Sequence, residues 1–111
     1  MDETLDFALL SRLRAVGRDE PATEAELRTL LEQGDAWERT LRGRVEGAER
    51  RLERLVARPD VSLQLIASEL RRIEQLRPQL DELRVLLAEL EARARRLRTE
   101  WLTRQAGLTS S

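Results

Sequence analysis

The chain has 111 residues, 41% apolar and 37% charged, with Phe7, Trp37 and Trp101 as its only aromatic residues. Its 20 basic and 21 acidic residues leave a formal net charge of -1. That balance argues against a general attraction to nucleic acid or to an anionic membrane. The charged residues are interspersed with periodic leucines, the pattern of solvated long helices rather than of a disordered tail. Every basic residue is Arg; Lys, Asn and Tyr are absent. Their codons are AT-rich, so a GC-rich gene accounts for the arginines without invoking phosphate binding.

Residues 2 to 16 read as a short first helix with Leu5, Leu9, Leu13 and Val16 on one face and Leu10 beside them. Asp2, Glu3 and Asp6 suit the positive end of its dipole. Gly17 is a natural stop, able to take a left-handed cap, and Gly17–Ala22 forms a polar loop. Thr23-Glu24-Ala25-Glu26 matches a capping box and opens a second helix over about 24–57. The seam of this helix runs Leu27, Leu31, Gly34, Glu38, Leu41, Val45, Ala48, Leu52, Leu55. Its middle is occupied by small or charged residues, and Trp37 can cover that weak point. Gly34-Asp35 is readable as a break or as a passage through one continuous helix at a cost of about 1 kcal/mol; the continuous helix is favoured. Arg58-Pro59 marks the exit.

Asp60 or Ser62 caps a third helix over about 61–104. From Leu76 its apolar residues fall at Leu76, Leu80, Leu83, Leu87, Leu90, Ala94, Leu97 and Trp101. The steps alternate four and three, an average of 3.5 that holds one seam against a partner helix. Earlier, Leu70, Ile73 and Leu76 step three and three, a stammer. Pro78 follows and removes a helical hydrogen bond. A kinked helix is favoured there over a break, dividing the third helix into packing segments 61–75 and 76–101. Trp101 is expected on the seam, meeting Leu5 and Leu9 of the first helix. Gln105 to Ser111 read as a frayed tail.

The expected fold is all-α and forms a single domain over 1–111. It is an antiparallel, coiled-coil-like hairpin of two long helices with the short first helix docked as the third member of a bundle.

Catalysis finds little to work with. His, Cys, Lys and Tyr, the commonest bases and nucleophiles, are missing. The carboxylate pairs Glu89/Glu91 and Asp81/Glu82 point to different sides of a helix. A di-iron bundle would need Glu-x-x-His, and GRDEPATE is too short for a calcium loop. The sequence therefore predicts no enzyme, no cofactor, no metal site and no small-molecule substrate. With no apolar run near a membrane span and an acidic N-terminus unlike a signal peptide, a soluble cytoplasmic protein is expected.

What remains is apolar seam. Leu83, Leu86, Leu87 and Leu90 cover more than a two-helix zipper requires, and the first helix can cover only about 22 Å of it. A protein partner, a second copy or another chain, is therefore expected over Leu76, Leu80, Leu83, Leu86, Leu87, Leu90, Leu97 and Trp101, with Trp37 as a further contact. The function this predicts is a non-enzymatic structural or adaptor subunit. Arg93, Arg95, Arg96 and Arg98 would serve nucleic acid only as one stripe free of acidic partners; ion pairs of Glu89 with Arg93 and Glu91 with Arg95 are the plainer expectation.

One segment carries a resemblance. EAELRTLLEQGDAWERTLRGRVEGAERRLERL, Glu24 to Leu55, is similar to the helix of small flagellar type III export chaperones. In those proteins an acidic residue and Trp follow a Gly ahead of an Arg- and Leu-rich continuation. The likeness covers roughly a third of the chain and includes one extra residue, Ala36, before Trp37. It implies a helical hairpin that holds export cargo along apolar grooves, the alternative to a permanent subunit. Subunits of hetero-oligomeric tethers and scaffolds carry equally plain Leu/Glu/Arg helices.

Overall fold

The computed structural model describes residues 2–18 and 20–109, with side chains over 7–18 and 20–107. The described residues form three α-helices and no strand: α1 (Asp2–Gly17), α2 (Glu24–Val56) and α3 (Leu63–Thr109). This is the expected all-α architecture, a long-helix hairpin preceded by a short helix. The side chains of Asp2, Glu3, Leu5 and Asp6, expected to line α1 or charge its first turns, lie outside the described residues.

The helix boundaries follow local chemistry. Thr23 caps α2, its Oγ1 accepting from the Glu26 N–H at 3.1 Å. The expected return bond of a capping box is replaced: the Glu26 carboxylate takes Arg12 of α1 at 3.2 Å. Of the two candidate caps for α3, Ser62 serves, its Oγ accepting from the Gln64 N–H at 3.1 Å. Asp60 sits 3.9 Å from Arg58 instead. α3 therefore starts at Leu63 rather than Val61. It continues past the expected end to Thr109, so Gln105 to Thr109 are helical where a frayed tail was expected. Nothing lies within 4 Å of a Cβ built on Gly107, and one exposed glycine weakens a helix by only about 1 kcal/mol without stopping it.

Three glycines of the chain differ in role. Gly17 ends α1, but its φ is not positive. α3 passes close by: a Cβ there would stand 3.3 Å from Glu89 Oε2 and 3.4 Å from Leu86 Cδ2. Gly34 leaves α2 unbroken and is buried. Gly43 faces open space, with nothing within 4 Å of a Cβ. Gly43→Ala should accordingly raise stability by about 0.5–1 kcal/mol, since only the unfolded chain loses freedom. A urea midpoint equal to or below that of the parent chain would contradict this.

Pro78 also leaves α3 unbroken. It cannot donate to the Glu74 carbonyl, and the neighbouring Gln79 side chain folds back onto the Gln75 carbonyl at 3.1 Å.

The packed residues group into two compact units, residues 36–84 and residues 1–35 with 85–111. The dividing points on the long helices are Asp35/Ala36 and Arg84/Val85, further along α3 than the stammer suggested. Unit 36–84 is a helical hairpin. Arg51–Glu69, Glu49–Arg77 and Glu38–Arg84 pair α2 with α3 in descending order, which makes the two arms of the hairpin antiparallel. Its core is Leu41, Val45, Ala48, Ile73, Leu80 and Leu83. Ile66 and Ile73, seven apart, keep to the seam, and the stammer turns Leu70 outward. The second unit packs α1 with the first part of α2 and the last part of α3, burying Leu13, Val16, Leu27, Leu30, Leu87, Leu90 and Ala94. Arg12 reaches both Glu20 and Glu26, and Glu24 stands level with Arg98.

Candidate interaction surface

Most of the expected partner seam is spent inside the chain. Leu80, Leu83, Leu87 and Leu90 are at most 6% exposed. Leu76, Leu86 and Leu97 are half-buried. The seam exists with the expected period, and the chain's own helices occupy it. Gly34 of α2 lies against Leu87, and Gly17 of α1 against Leu86.

The ends of the seam behave differently. Trp101, expected to pack against Leu5 and Leu9, is 58% exposed. α2 begins at Glu24, which is level with Arg98, so Trp101 lies one turn beyond the last cover α2 can give. Leu9 is half-buried, and the side chain of Leu5 lies outside the described residues. Phe7 and Leu102 are also exposed in this unit, and so is Val85. Trp37 is half-buried, with the Arg44 guanidinium 5.1 Å from its ring centroid. That geometry is a cation–π contact within the chain, which leaves Trp37 a weaker candidate for a partner than Trp101.

At the other end, in unit 36–84, Val56, Leu63, Leu65 and Leu70 are exposed. Leu70 was placed on the apolar seam by its spacing, and none of the four was expected as a partner contact. Arg51 is level with Glu69 and α2 stops at Val56, so Leu63 at the start of α3 outruns its neighbour just as Trp101 does.

The arginines do not form one stripe. Arg93 is half-buried and donates to the Val16 carbonyl at 2.9 Å, capping the end of α1 instead of pairing with Glu89 as expected. Arg98 lies 3.8 Å from Glu24. Arg95 and Arg96 are exposed and, at about 100° per residue, point to different sides of the helix. Elsewhere charge is woven into pairs: Glu38 accepts from Arg84 at 3.1 Å and lies 3.8 Å from Arg42.

Among the described residues, no group of acidic side chains is placed to hold a metal ion. No helix among them is long and apolar enough to cross a membrane. No protein-family model, no curated protein and no solved structure matches the chain. The likeness of Glu24–Leu55 to flagellar export chaperones therefore rests on those residues alone.

Proposed function

We propose that this chain is a non-enzymatic helical subunit that assembles with another protein through the apolar side chains at the ends of its seam. The observation that carries the reading is Trp101, a large aromatic left 58% exposed beside exposed Leu102. Trp is among the residue types most enriched at binding hot spots. The cargo-holding alternative needs a long apolar groove along the helices. The leucines that would floor it, Leu80, Leu83, Leu87 and Leu90, are covered by the chain itself, which ranks the permanent subunit ahead. The scatter of Arg93, Arg95, Arg96 and Arg98 ranks nucleic acid behind both.

The test is the state of the protein in its own cell. The tagged chain is expected to leave the cell in a complex of fixed stoichiometry that survives gel filtration. Trp101→Glu should weaken that complex by roughly tenfold or more, with the thermal melt of the isolated chain unchanged because the site is exposed. Recovery of a bare monomer from native cells, by sedimentation velocity, would overturn the reading.

A further inference from the structure

The turn between α2 and α3 carries a charge balance unlike the rest of the chain. Between Arg50 and Arg72 there are six arginines against three acids, Glu53, Asp60 and Glu69, in a chain whose acids otherwise outnumber its bases. Here α2 and α3 enclose an open cleft of about 420 Å³, lined by Arg51, Arg54, Leu55, Arg58, Leu65 and Glu69. Only part of this positive charge is answered by the chain. Arg51 donates to Glu69 at 3.1 Å. Arg58 is 3.9 Å from Asp60, both well exposed, a geometry that contributes almost nothing in water. Arg54 is exposed and has no acidic partner among the described residues. Of the apolar side chains in the cleft wall, Leu65 is 54% exposed and Leu55 is half-buried; Val56, Leu63 and Leu70 are exposed elsewhere in the same unit.

An apolar floor flanked by unanswered guanidinium groups has a definite complement. We propose that this hairpin tip docks an acidic amphipathic helix of a partner protein, its leucine-like face on Leu55 and Leu65 and its carboxylates on Arg54 and Arg58. The proposal rests on the subunit reading and gives it a site and a chemistry. Arg54 stands in the last turn of α2 and Arg58 two residues past its end, and both line the cleft. Carboxylates on the polar face of a docked helix complement these two groups, since Arg presents a planar fork suited to them. A cleft between two helices receives a third helix in the same ridge-and-groove manner by which the hairpin itself packs. Nucleic acid would satisfy the arginines and leave the leucines in water. The apolar floor is what selects a protein helix.

The experiment uses the full chain as bait against a displayed library of helical peptides randomised on both polar and apolar faces. Enriched peptides are expected to carry Asp or Glu flanking a Leu, Ile or Phe face. Their binding should fall roughly tenfold or more with the Arg54→Glu/Arg58→Glu double variant or with Leu65→Glu, and should weaken with added salt. Both variants change exposed residues, and an unchanged circular dichroism melt separates lost docking from lost folding. Selected peptides without an acidic bias, or acidic ones insensitive to both variants, would overturn the tip site; binders that map to Trp101 would do so while leaving the subunit reading standing. An empty selection would also overturn it. Two further results would reassign the face: concentration-dependent self-association abolished by the double variant, pointing to a second copy, and co-sedimentation with phosphatidylserine vesicles abolished by it, pointing to a membrane surface.

Discussion

Leu83→Ala should destabilise the hairpin unit by about 3–5 kcal/mol and lower its thermal midpoint by on the order of 10–20 °C. Leu83 is 1% exposed, among the core residues Leu41, Val45, Ile73 and Leu80. Truncation removes three buried carbons and leaves a cavity. Both helices are constrained by their close-packed neighbours, so the space does not close by simple collapse. The contrasting variant is Leu63→Ala. Leu63 is 82% exposed, and its truncation should move the midpoint by the equivalent of about 0.5 kcal/mol or less. Circular dichroism melts of the two variants decide the matter. Near-equal effects would mean that Leu83 is not core, and would return it to the partner seam on which the period alone had placed it. The comparison also governs how interaction assays are read. A charged residue at Leu83 or Leu87 would abolish binding by unfolding the chain, so contacts with a partner are to be probed at Trp101, Leu65 or Arg54 instead.

The period of α3 was legible because Leu76, Leu80, Leu83, Leu87, Leu90 and Ala94 hold it without a slip, and the structure buries or half-buries each one. The hairpin was legible because Pro59 interrupts two long apolar patterns after too few residues for anything but an antiparallel return. What periodicity cannot report is where the opposing helix ends. Trp101 and Leu70 fit the apolar pattern as well as Leu90 does, yet both are exposed. Trp101 lies beyond the start of α2, and Leu70 falls at the slip between Ile66 and Ile73. The same blindness hid the hairpin tip. Leu63 opens α3 past the level of Val56, Leu65 is still 54% exposed beside Leu55, and nothing in their spacing distinguishes an uncovered leucine from a covered one. Side-chain pairing was equally out of reach. Glu89 and Arg93 have the spacing of an ion pair, but the end of α1 offers Arg93 the Val16 carbonyl at 2.9 Å. A one-dimensional reading contains no α1 at that level of α3.

Gly34 is where a residue read as a weakness becomes a requirement. The seam Leu27, Leu31, Gly34 places it facing α3, and a Cβ built there would overlap Leu87 Cδ2 and stand 3.4 Å from Leu87 Cγ. Leu87 is itself 6% exposed, so its methyls cannot swing aside into solvent. The two helices approach closely here because one of them has no side chain. Gly34→Ala gains about 1 kcal/mol of helix propensity and meets an overpacking penalty of about 1–3 kcal/mol. The expected net result is a loss of up to roughly 2 kcal/mol, opposite in sign to Gly43→Ala in the same helix. The source of the loss can be separated from propensity by a double-mutant cycle. With Leu87→Ala in the background, the clash has no second party and the methyl added by Gly34→Ala fills part of the space left. Gly34→Ala should then become neutral or stabilising. If urea denaturation instead shows Gly34→Ala stabilising the parent chain, Gly34 is an ordinary helix interior and the close approach of α2 to α3 at Leu87 is not part of the fold.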